Sequence, residues 1–104
     1  MDTSLDSIFV ERFESVVAEL GFKNLKAFVK NQALFILMSK MEKFRAEDKR
    51  FKSKYGLDFN KFQERIERRK DEEIFSEEED YLDWRFAKEA LSRLERQTRE
   101  LENA

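Results

Sequence analysis

The chain has 104 residues, 42% of them Asp, Glu, Lys or Arg and 40% apolar, with no proline, cysteine or histidine and a formal charge of −2. That length suits one domain rather than two separate cores. The missing residue types exclude a disulfide framework, a thiolate zinc site, and the commonest general base and nucleophile. No run of about 18 apolar residues offers a membrane-spanning helix and no apolar leader opens the chain, so a cytoplasmic protein is expected.

Just over half of the residues are Ala, Glu, Lys, Leu or Arg, a composition typical of long helices and coiled coils. So high a charge content is also found in disordered chains, but eleven Phe at helical spacing oppose that reading. The charge is segregated. Residues 1–22 carry one base and five acids, residues 23–70 fifteen bases and six acids, and residues 71–104 five bases and twelve acids. A basic middle between acidic ends implies partners or self-docking.

The first predicted helix covers about residues 4–20. Leu5, Ile8, Phe9, Phe13, Val16, Val17 and Leu20 recur at steps of three and four, one apolar face of a 3.6-residue period. Ser4 or Asp6 can cap its start, and Gly21 can supply the left-handed residue that ends it.

A second helix, about 25–55, is capped by Asn24 and meets no breaker before Gly56. At 1.5 Å per residue it is a rod of roughly 45 Å, longer than a compact domain of this size, whose radius of gyration is about 13 Å. Its first half is apolar nearly all round, while its second half keeps a seam of Leu34, Leu37, Met41, Phe44, Asp48, Phe51 and Tyr55. Because the rod overhangs, a second chain is expected to cover Phe44, Phe51 and Tyr55. Leu34, Leu37, Met41, Phe44, Phe51 and Tyr55 are therefore the expected self-association residues of a homodimer or higher oligomer.

The third helix, about 59–70, is capped by Asp58, with Leu57 and Phe62 forming a hydrophobic staple and Phe59, Phe62 and Ile66 a buried stripe. "DEEIF" reads as the loop that follows. Ser76 and Glu79 then have capping-box spacing for a fourth helix of about 77–102, whose seam runs Trp84, Ala87, Leu91, Leu94, Thr98, Leu101. The fold class is all-α in a single helical domain, with a hairpin over 1–56 for self-association and a partner-binding region over 57–104.

Chemistry is scarce along this chain. Seven serines lack an activating partner at any recognisable spacing, and no glycine-rich phosphate loop exists. An enzyme is not expected, nor a cofactor. Glu77, Glu78, Glu79, Asp80 and Asp83 lie close together, and hard cations take oxygen ligands, but acids in the first turn of a helix are explained by the positive end of its dipole. No metal site is assigned. The basic residues Lys40, Lys43, Arg50 and Lys54 on the second helix, and Arg65, Arg68, Arg69 and Lys70 on the third, are candidates to track nucleic-acid phosphates. The competing reading, which is the stronger one for the second-helix set, is a solvated face or a dock for the chain's own acids. Tyr81 and Trp84, three apart, are core residues or interface anchors.

The stretch "ELGFKNLKAFVKNQAL" resembles the second half of ribbon-helix-helix proteins, many of them antitoxins of prokaryotic toxin–antitoxin modules. Leu20, Gly21, Phe22, Asn24, Phe28 and Val29 occupy the matching positions. The basic, alternating strand with which that family reads DNA has no counterpart in "MDTSLDS", so no base-reading residue is carried over. "RFKSKYGLDFNKFQERI" followed by "FSEEEDYLDWRFAKEALSRLE" is similar to the C-terminal part of small helical antitoxin-type proteins. The resemblance implies a non-enzymatic module that neutralises a toxin by direct binding, with Glu77, Glu78, Glu79, Asp80, Tyr81, Asp83 and Trp84 as partner-binding residues, their acids mimicking a polyanion. The alternatives are a helical nucleic-acid-binding transcriptional regulator, with DNA as its possible partner, and a structural coiled-coil adaptor.

Overall fold

Two glycines and two capping side chains punctuate the chain. In the computed structural model, which describes residues 3–69 and 74–104, they separate four helices: α1 (Thr3–Glu19), α2 (Leu25–Tyr55), α3 (Phe59–Arg68) and α4 (Phe75–Glu102). No strand is present among the described residues, and none of the helices is long and apolar enough to cross a membrane.

Among the described residues, Gly21 and Gly56 are the two with positive φ, at 96° and 69°. After α1, the N–H of Phe22 donates to the Val17 carbonyl at 2.9 Å and that of Gly21 to Ala18 at 3.1 Å. This paired closure satisfies helix-end carbonyls and needs a left-handed residue at the turn, which glycine takes without a Cβ penalty. Asn24 then caps α2 by accepting from the Ala27 N–H at 2.8 Å. Asp58 does the same for α3, accepting from Lys61 at 3.0 Å.

The compact units divide inside α2. Met1–Ile36 form one and Leu37–Ala104 the other. Gly56, the boundary expected from the sequence, falls within the second unit.

In the first unit, α1 bears a hydrophobic stripe of which only one edge is used. Phe13 and Phe28 meet at 5.8 Å between ring centroids, and Phe22 packs edge-on against Phe28 at 5.2 Å. Val17 beside them is fully buried.

In the second unit, α4 runs antiparallel to the latter half of α2, since Met41 packs with Leu91 and Leu94 whereas Phe51 packs with Trp84. The two seams read from the sequence face each other here. Met41, Phe51, Trp84, Ala87, Leu91 and Leu94 are all buried. The cover expected from a second chain is thus supplied by α4, with α3 closing over Phe51 and Tyr55. The physical reason is period: both seams alternate threes and fours, so α4 matches α2 as well as a second copy of α2 would.

One expectation for α4 fails. The helix begins at Phe75, with Ile74 as an N-cap that makes no side-chain bond, so Ser76 and Glu79 do not form a capping box. Two N–H groups of the first turn, those of Glu77 and Glu78, donate instead to the Ile74 carbonyl. Ser76 is already inside the helix, where its hydroxyl cannot cap it.

Phe62 sits fully enclosed at the junction of three helices. Phe62→Ala is expected to cost about 3–5 kcal/mol, whereas Phe86→Ala on the exposed side of α4 should stay within about 0.5 kcal/mol of wild type. Urea unfolding of the two variants followed by circular dichroism measures the difference.

Candidate protein-binding face

The inner side of α4 is spoken for. The Trp84 ring lies 5.5 Å from Phe51 and 6.4 Å from Tyr55, nearly parallel to both, and 5.3 Å and 5.5 Å from Phe62 and Phe59. Its indole N–H donates to Asp48 Oδ1 at 2.8 Å. Asp48 also pairs with Lys52 at 3.4 Å and Lys88 at 3.7 Å. Burial pushes the Asp48 carboxyl up, but the indole bond and the two ammonium groups outweigh it and hold the carboxyl below its usual range.

The first turns of α4 are bound in the same way. Glu77 pairs with Arg65 at 2.5 Å and also with Arg69. The bond from Arg69 chiefly, and Arg65 with it, keep Glu77 below the usual carboxylate range against the opposing effect of burial. Asp80 accepts from Lys54 at 2.5 Å and from the Tyr55 hydroxyl. Burial raises the Asp80 carboxyl, and these two donors more than reverse that. The Tyr55 phenol is driven well above its ordinary value by burial and then by the adjacent Asp80 charge. Tyr81 stacks on Phe59 at 5.8 Å and accepts from Gln63 at 3.0 Å.

Four of the seven expected partner-binding residues therefore face inward: Glu77, Asp80, Tyr81 and Trp84, the last with 0% of its surface exposed. Glu79 and Asp83 are exposed and Glu78 is half-buried; none of these three makes an ion pair among the described residues. Asp71, Glu72 and Glu73 lie outside the described residues, as does Lys70.

The basic candidates divide similarly. Arg50 pairs with Glu47 at 3.1 Å and covers the Phe51 ring at 4.3 Å. Lys54, Arg65 and Arg69 are the bases that hold Asp80 and Glu77. Lys40, Lys43 and Arg68 remain on the surface, Lys43 resting 5.8 Å above Phe44. Of the expected self-association residues, Met41 and Phe51 are buried within the chain, and Leu34, Leu37, Phe44 and Tyr55 are half-buried.

What the sequence reading missed is the opposite side of α4. Phe75, Leu82 and Phe86 are 70%, 57% and 62% exposed. Steps of seven and four put them on one face, away from the Trp84–Leu94 seam. The rim of that face carries Glu78, Glu79 and Asp83, plus Glu89 paired with Arg85 at 3.5 Å. The Phe86 ring is braced edge-on against Phe44 at 6.0 Å. Periodicity could have revealed the set, but a seam search follows the longer apolar row and passes over a shorter one behind it. Among the described residues no group of carboxylates is placed to hold a metal ion.

No protein-family model matches the chain, and neither a curated protein nor a solved structure matches it.

Asp48, Glu77 and Asp80 all release protons more readily in the folded chain than in the unfolded one. Their contribution is therefore present above the ordinary carboxylate range, near pH 4, and is lost as pH falls through the lowered folded values. Tyr55 works in the other direction: its contribution is present below about pH 10 and lost above it, where the unfolded phenol ionises first. Urea midpoints taken across pH should show a plateau that falls off on both sides. Asp48→Ala, which strands the buried indole N–H, should cost about 1–3 kcal/mol at neutral pH.

Proposed function

We propose that this chain is a non-enzymatic, antitoxin-like protein-binding module that captures a basic partner protein on the outer face of α4. The observation that carries the reading is the row of Phe75, Leu82 and Phe86, large apolar side chains held out on a rigid helix. Scattered exposed apolar residues are normal, but an aligned set with a charged rim is the anatomy of an interface. Buried aromatic anchors supply most of the energy of such contacts, and the charged rim supplies encounter rate and selectivity.

The acids of the rim give the partner its chemistry. Glu78, Glu79 and Asp83 are left over after Glu77 and Asp80 are neutralised within the chain, so they project a negative field from the start of α4. A surface that binds RNA phosphates must be basic, and a toxin that acts on RNA would present such a surface to this helix. The resemblance of residues 50–66 and 75–95 to antitoxin-type proteins points the same way. The nucleic-acid alternative is weakened by the internal pairing of Lys54, Arg65 and Arg69.

The test is a tagged chain purified from its own cells at low salt, beside a Leu82→Lys, Phe86→Lys variant. The wild type is expected to bring down one small basic protein in a stoichiometric amount, and the variant to lose it. Expressed alone, that protein should arrest growth, and co-expression of the wild-type chain should restore it. A partner retained in full by the variant, or one whose expression is harmless, overturns the reading.

A further inference from the structure

We infer that the bare apolar face of the first unit is covered by a second copy of the same chain. Residues 3–36 fold as α1 and the start of α2, yet Val17 is the only fully buried side chain described there. A segment below about 40 residues rarely holds itself without a disulfide, a metal or a partner, and this chain has no cysteine.

On α1, Phe9, Val16 and Leu20 follow each other at steps of seven and four and are 61%, 55% and 63% exposed. On α2, Val29 and Ile36, seven apart, are exposed by more than half. Together these five leave on the order of 500 Å² bare, about 1,000 Å² over two copies, which is the least a specific interface needs, whereas a monomer rarely exposes a patch above a few hundred Å².

Charge selects a copy over a different partner. α1 carries Asp6, Glu11, Glu14 and Glu19 against Arg12, while residues 22–36 carry Lys23, Lys26 and Lys30 and no acid. A partner of either sign would be repelled by one of these two helices. A second copy related by a two-fold axis presents acidic α1 to the basic start of α2 and receives the same in return, as an isologous interface requires. Four helices packed this way form a bundle with the stripe of α1 inside.

Sedimentation equilibrium of the full chain at roughly 10–100 μM, the range of moderate self-association, is the experiment. The expected mass is twice the 12.6 kDa of one chain. Val16→Glu and Leu20→Glu should each give a monomer that loses far-ultraviolet helicity from the first unit while Trp84 emission from the second unit is unchanged, whereas Ala18→Glu, on the far side of α1, and the Leu82→Lys, Phe86→Lys variant should remain dimeric with full helicity. Val16→Ala and Leu20→Ala, which keep helix propensity, should each weaken the dimer at least about ten-fold. A wild-type monomer over this range overturns the inference. So does a dimer indifferent to Val16 and Leu20, which would place the interface elsewhere.

Discussion

One indole fixes the geometry of the second unit. Trp84 is boxed by two rings from α2 and two from α3, and its single polar atom reaches Asp48 on α2. Ring stacking has broad distance tolerance, but a hydrogen bond of 2.8 Å does not. The bond to Asp48 sets the register of α4 along α2, and the rings then set how α3 closes over the pair. Gly56 and Asp58 follow from that requirement: the chain must reverse sharply within four residues of Tyr55 to bring Phe59 and Phe62 against the same indole.

Much of the charge segregation is used inside the fold. The basic middle and the acidic C-terminal segment meet where Lys54, Arg65 and Arg69 hold Asp80 and Glu77. These pairs lie around the aromatic box rather than within it. Half-exposed pairs of this kind contribute little apiece, but they penalise any register in which like charges would face each other. Selection between alternative helix pairings is the service such a collar gives, and the apolar box supplies the stabilisation. Among the described residues of the first turns of α4, Glu78, Glu79 and Asp83 lie beyond the collar and outside any ion pair.

The helices and the caps of α2 and α3 were legible in the sequence because each has a local cause: Asn24 and Asp58 cap, Gly21 and Gly56 take positive φ, and the seams have an unambiguous period, whereas Ser4 and Asp6, expected to cap α1, lie inside it. The pairing of α2 with α4 was not, since a seam of threes and fours states that a partner helix exists but not which chain it belongs to. The same limit explains Trp84. Its aromatic character suits an anchor or a core equally, and only the five side chains around it decide the matter. Ser76 shows the limit of short motifs, for capping-box spacing was present but the helix starts two residues earlier. Phe75, Leu82 and Phe86 escaped notice because exposure, not periodicity, distinguishes them.

The distribution of aromatic types gives each half of the molecule its own optical signature. Trp84, Tyr55 and Tyr81, all the tryptophan and tyrosine in the chain, belong to the second unit, and the first has only phenylalanine. Indole emission therefore senses the second unit alone, while far-ultraviolet ellipticity sums over both. If α1 and the start of α2 melt separately, ellipticity will fall while emission stays constant, so a single unlabelled sample can resolve the order in which the two units lose their structure.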